Sequence, residues 1–235
     1  MDILSFHNNA AQHQALVNAG IHHRNADMIA KGSYEKNDEG RACTAGCYAD
    51  GPEYYDRVKF CTDKNLPIRL IGIVDAVFEG LPSPEHIEWH TQWTQALPIG
   101  VPIADLETVC DKLIRFACLR KAEIYGPEHR QHLDAVIALY DRRIAGDEPS
   151  DVEWSKAALD ALDALDALDA LDARAALAAL AARDALAARA ARAALDVLDA
   201  RAARDALDAR DGLYRAVRDE YLLLMSEVSS EGGEA

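Results

Sequence analysis

Apolar residues recur at helical spacing along most of the first 148 positions. In "LPIRLIGIVDAVFEGLP", Leu70, Ile71, Val74, Val77 and Phe78 share one face, with Pro67 near the start and Gly80 at the end. The spacing predicts a helix whose proline pre-sets the first turn and whose glycine suits the stop. "SPEHIEWHTQWTQALP" follows the same grammar, with Ser83 as the expected N-cap and Pro84 as the first helical residue. A longer stripe of Leu106, Val109, Cys110, Leu113, Ile114 and Ala117 predicts a helix from about Asp105 to Glu123, ended by Gly126. Another is expected from Pro127 to about Ala145. At the start of the chain, Asn8 or Asn9 is the expected cap of a helix that stops at Gly20, followed by a second over 22–31.

One segment breaks this pattern. "KGSYEKNDEGRACTAGCYADGPEYY" is rich in Gly, Asp and small residues and has no period, which predicts an irregular loop over 32–52. A loop of that length inside a compact domain is usually functional or disordered. After the hinge "AGDEPSD", Ser150 or Asp151 is the expected cap of the next helical segment.

From Leu159 to Gly212 the chain repeats every three residues for 18 units. The first position is Leu or Arg, the second Asp or Ala, and the third almost always Ala. Ala, Leu and Arg are strong helix formers and no turn signal interrupts them, so the tract is expected to be helical. In an α-helix the Leu/Arg positions wind around the axis and return after 18 residues, so Leu159, Leu177, Leu195 and Leu213 share one angle. The strict triplet would suit an extended 3₁₀ helix better, but long 3₁₀ runs are uncommon. Such a tract cannot bury its leucines alone. Self-association through residues 157–225 is the expectation.

Composition changes the picture mainly by exclusion. The formal charge is -15, with 22 acidic and 15 basic residues up to Ser150, and 18 and 10 beyond it. Both halves are acidic, which argues against direct nucleic-acid binding. No apolar run approaches the ~20 residues that span a bilayer. The N-terminus "MDILSFHNNAAQHQ" has no basic or apolar targeting region. Cys43, Cys47, Cys61, Cys110 and Cys118 make an odd number, and without an export signal a reduced, cytoplasmic compartment is expected.

Candidate chemistry concentrates in "EGRACTAGC". Cys43 and Cys47, with Arg41 and Glu39 as supporting charges, can form a thiolate or metal site, although metal pairs more often use C-x-x-C. A nucleophilic cysteine needs a base, and His22, His23, His86, His90, His129 and His132 are available. The simpler reading is of small buried side chains that pack the loop onto helices. "HIEWH" sets His86 and His90 one helical turn apart, a spacing that can hold a metal but specifies no third ligand, and it is not the H-E-x-x-H order. "HRQH" is a weaker pair of the same kind. There is no phosphate loop, nucleophile elbow or kinase motif set, and no cofactor is specified.

"DEGRACTAGC", then "PEYYDR", "LPIRLIGIVDAVFEGLP", and a Trp-bearing helix running into "ALPIGVPIADLETV" come in a specific order. This order resembles an uncharacterised family met in bacteriophage and bacterial genomes. That family has a G-C-x-x-G-C loop, an "IFEGLP" helix end and Ala-rich triplet tracts. The resemblance covers about residues 30–110 by motif and 155–215 by composition. It implies no activity or catalytic residues. In the family a His often follows the second Cys, whereas "CYADG" has none, which counts against a Cys/His site here. Nor does the family pattern include "HIEWH".

The expected fold is all-α. Residues 1–148 form a helical domain with the Cys-bearing loop, 149–228 a triplet-repeat helical region, and 229–235 a disordered tail. The leading functional expectation is a non-enzymatic interaction or structural protein, phage-related and oligomeric through its tract. The alternatives are a metal- or thiol-dependent enzyme centred on Cys43 and Cys47, and an acidic decoy of a DNA-binding protein.

Overall fold

The computed structural model describes residues 3–32, 37–48, 56–125, 127–166 and 205–231. It is mainly helical, and among these residues there is no strand, only isolated bridges pairing Leu4 with Pro102 and Ile29 with Ala42. The helices are α1 (Ala10–Asn25), α2 (Thr44–Tyr48), α3 (Asp56–Lys64), α4 (Ile68–Gly80), α5 (Glu85–Ala96), α6 (Ile103–Tyr125), α7 (Pro127–Ile144), α8 (Asp151–Asp166) and α9 (Asp205–Glu231). No helix among the described residues is long and apolar enough to cross a membrane.

The expected caps account for several of these boundaries. Asn9 Oδ1 accepts from the Ala11 and Gln12 amides at 3.0 and 3.2 Å, starting α1. At α8 the sequence S-x-x-E forms a capping box. Ser150 Oγ accepts from the Glu153 amide (3.3 Å), and Glu153 Oε2 accepts from the Ser150 amide (2.8 Å). α5 starts one residue later than expected, with Pro84 in the cap position and no side-chain cap.

Two expectations at the first helix and the loop are corrected. α1 does not stop at Gly20, and no separate helix covers 22–31. The helix runs to Asn25 and closes in a Schellman motif. Asp27 takes the left-handed conformation (φ 54°), its amide bonds Arg24 O, and the Met28 amide bonds His23 O at 3.0 Å. Gly20 lies buried within α1 because a Cβ there would stand 2.2 Å from the Tyr48 hydroxyl. Within 32–52, the residues Thr44–Tyr48 form the short helix α2, and four of its five residues are buried.

The chain divides into two compact units, Met1–Val109 with Tyr214–Ala235, and Cys110–Leu213, rather than at the hinge near Gly146. In the first unit α4 is apolar nearly all round, as a central helix must be, and it packs on α2, α3 and α5. Leu70, Val74, Phe78, Trp89, Trp93, Leu106, Tyr221 and Met225 form the core. α9 joins this unit from Tyr214 onward. The Tyr214 ring lies where a Gly80 Cβ would be, 2.1 Å from that position, so Gly80 serves close approach as well as helix ending. Tyr221 meets Trp89 edge-on at 5.0 Å and donates to Trp93 O (3.2 Å). Arg215 and Arg218 grip Glu85 at 2.8 and 2.9 Å.

In the second unit α7 packs on α8, Tyr140 meets Trp154 at 4.8 Å, and Arg142 joins Asp147 and Glu153. Both described ends of the triplet tract, 159–166 and 205–212, are α-helical. The rest of the tract and the tail 232–235 lie outside the described residues.

Candidate metal centre

The centre is built on α2. Cys43 precedes this helix and caps it, its sulfur accepting from the Gly46 amide at 3.5 Å. Cys47 is one turn on, so the two thiols sit four residues apart but enter different surroundings.

Cys47 joins His23 and His90, and one ligand atom from each lies within 4.8 Å of the others. His23 comes from the last turn of α1, fixed by the Schellman motif, and His90 comes from the middle of α5. Aromatic packing holds both rings: Tyr48 stacks on His90 at 4.8 Å and 11°, and meets His23 edge-on at 5.3 Å. The Tyr48 hydroxyl donates to His90 O at 3.0 Å.

A hydrogen-bond relay orients His90. The Trp93 indole N–H can only donate, and it donates to Thr44 Oγ1 at 3.1 Å. Thr44 Oγ1 in turn shares a 2.8 Å bond with His90 Nδ1. The hydroxyl oxygen has two lone pairs, so it can accept from both rings. In the tautomer with Nδ1 protonated, Nε2 carries a lone pair. His90 is fully buried, and among the described residues its Nε2 has no hydrogen-bond partner. An anchored Nδ1–H and an open Nε2 are the arrangement seen in metal-binding histidines. Burial, reinforced by the neighbouring His23, holds the His90 imidazole neutral, with its pKa pushed down to about 3.

The Cys47 thiol donates to the carbonyls of Met28 (3.3 Å) and Ala42 (3.4 Å). Thiolate, imidazole and imidazole form a borderline-soft donor set, suited to Zn²⁺, Co²⁺ or copper rather than to Mg²⁺ or Ca²⁺. A tetrahedral ion asks for donors about 3.3–3.6 Å apart, so three atoms within 4.8 Å need only a small inward adjustment.

Cys43 instead meets Asp75 and Glu79 of α4. There a cation is already present: Arg57 Nη2 donates to Asp75 Oδ2 at 3.1 Å. Glu79 accepts from the Gly32 amide at 3.0 Å. Burial and then the Asp75 carboxylate push the Cys43 thiol up, so it stays protonated at neutral pH rather than poised as a nucleophile. Cys61 and Cys118 are also buried and pushed up by desolvation, to about 12 and about 11, and none of the five cysteines is in a disulfide.

The other candidates lie apart from Cys47. His86, a turn before His90, packs edge-on against Phe78 at 5.3 Å and joins neither trio. Arg41 turns toward Asp27 (2.6 Å) and Glu39 (3.5 Å) on the surface. In the sequence His23 is legible only as one histidine among several. Nothing in its spacing marks it, because the pairing with Cys47 is made by the fold. No family model, curated protein or solved structure matches the chain.

Proposed function

We propose that this chain is a metal-binding protein whose N-terminal unit holds one borderline divalent ion on His23, Cys47 and His90. One observation carries the reading: three donor atoms converge, from buried Cys47 and His90 and half-buried His23, and the His90 Nε2 has no hydrogen-bond partner among the described residues. Elemental analysis of the purified full chain is the test, and about one zinc or cobalt per chain is expected. Cys47→Ser and His90→Gln should each lower occupancy at least tenfold, while Cys43→Ser leaves it unchanged. Equal occupancy in all three variants, with helical content intact by circular dichroism, overturns the proposal.

A second proposal attaches to the triplet tract. Leu159, at its start, is 43% exposed on an α-helix, and a helix that presents leucines gains by covering them with a second copy. Self-association through residues 157–225 should appear as a concentration-dependent mass in sedimentation equilibrium. A monomer at every concentration sinks it.

A further inference from the structure

Resting on the metal-binding reading, we infer that a main-chain carbonyl closes the coordination, with Met28 O as the fourth donor, so that the ion is a structural tie rather than an open catalytic site. Three protein ligands plus water is the catalytic pattern, and four protein ligands is the structural one.

The carbonyl is in position because of the Schellman motif. The Met28 amide bonds His23 O, which ties Met28 to the ligand-bearing turn of α1. Met28 O accepts one bond from the Ala42 amide at 3.0 Å, and its second lone pair faces the Cys47 thiol at 3.3 Å.

Metal binding changes what that lone pair meets. The thiol gives its proton to solvent as the metal–sulfur bond forms, so the ion takes the proton's place. Without an ion between them, a thiolate and a carbonyl oxygen at this distance repel. An ion about 2.3 Å from sulfur and about 2.1 Å from oxygen bridges atoms at this separation with a sulfur–metal–oxygen angle near a right angle. Ala42 O, which likewise accepts one backbone bond, stands slightly farther from the sulfur, at 3.4 Å, and lacks the tie to the His23-bearing turn that Met28 has. The ion would then pin together the end of α1, the Met28 turn, α2 and α5, adding a tie to elements that already pack on one another.

Cobalt-loaded full chain tests this. A closed site gives a tetrahedral thiolate–cobalt spectrum that azide or thiocyanate leaves unchanged, and loading raises the melting temperature. A spectrum that shifts on adding azide shows a water-occupied fourth position and overturns the carbonyl ligand, while leaving the metal-binding reading in place. Failure to bind cobalt or zinc at all overturns both.

Discussion

His90 is a buried imidazole, and the ion-free protein should report it through pH. An unfolded chain takes up a proton at the ordinary imidazole value, near 6.5, whereas native His90 stays neutral down to about 3. Between those values the unfolded state binds more protons, so stability falls as pH is lowered through that window. The slope from this one group is at most ~1.4 kcal/mol per pH unit. His86, also lowered by burial and by Lys31, adds to it with the same sign. Chemical denaturation in EDTA from pH 7 to pH 5 should show the decline, and His90→Gln should flatten it. A wild-type curve level across that interval would mean that His90 protonates freely in the native state. Little of this environment is legible in the sequence. "HIEWH" displays two equivalent histidines a turn apart, but their difference comes from Thr44 and Tyr48 on one side and Phe78 on the other, which only packing brings to them.

Between elements, the tightest approach at the centre is that of α1 and α2, where Gly20 admits the Tyr48 hydroxyl. Gly20→Ala forces the tyrosine ring to shift and should cost about 1–3 kcal/mol by overpacking, with metal affinity falling as His90 loses its stacking partner. Gly212→Ala is the natural control: its Cβ would meet nothing within 4 Å on α9, so about 0.5–1 kcal/mol of stabilisation is expected. Urea midpoints distinguish the two, and equal midpoints for wild type and Gly20→Ala would show that the contact yields without cost. Most helices are readable from sequence because their signals are local: the Asn9 cap, the Ser150–Glu153 box and the Pro67-to-Gly80 framing all act within one turn. Gly20 reads as a stop because composition registers a helix breaker, whereas its reason is a ring from another helix. α2 is invisible to periodicity because five residues are too few to show a period, and its lone glycine resembles loop chemistry.

At the scale of the whole molecule, the core of the first unit is completed by residues from the far end of the chain. Tyr214 and Tyr221 cover Gly80, Trp89 and the α5 backbone, Met225 is fully buried, and Glu85 is claimed by two arginines of the same helix. A chain ending at Leu213 should therefore bind a hydrophobic dye and lose cooperative melting, although it keeps every residue of the candidate metal centre. Unchanged melting of that truncation would show α9 to be dispensable. Sequence order groups α9 with the repeats because it comes directly after them, and chain order carries no mark of where a helix docks. This docking also sets a clock during synthesis. The second unit lies between the two parts of the first, so roughly 100 residues must be made before the closing helix arrives, about 5–20 s at ordinary elongation rates. For that interval Trp89 and the Gly80 face of α4 stand uncovered on the nascent chain, a window in which a chaperone, or a neighbouring ribosome's unfinished copy, competes for the same apolar surface.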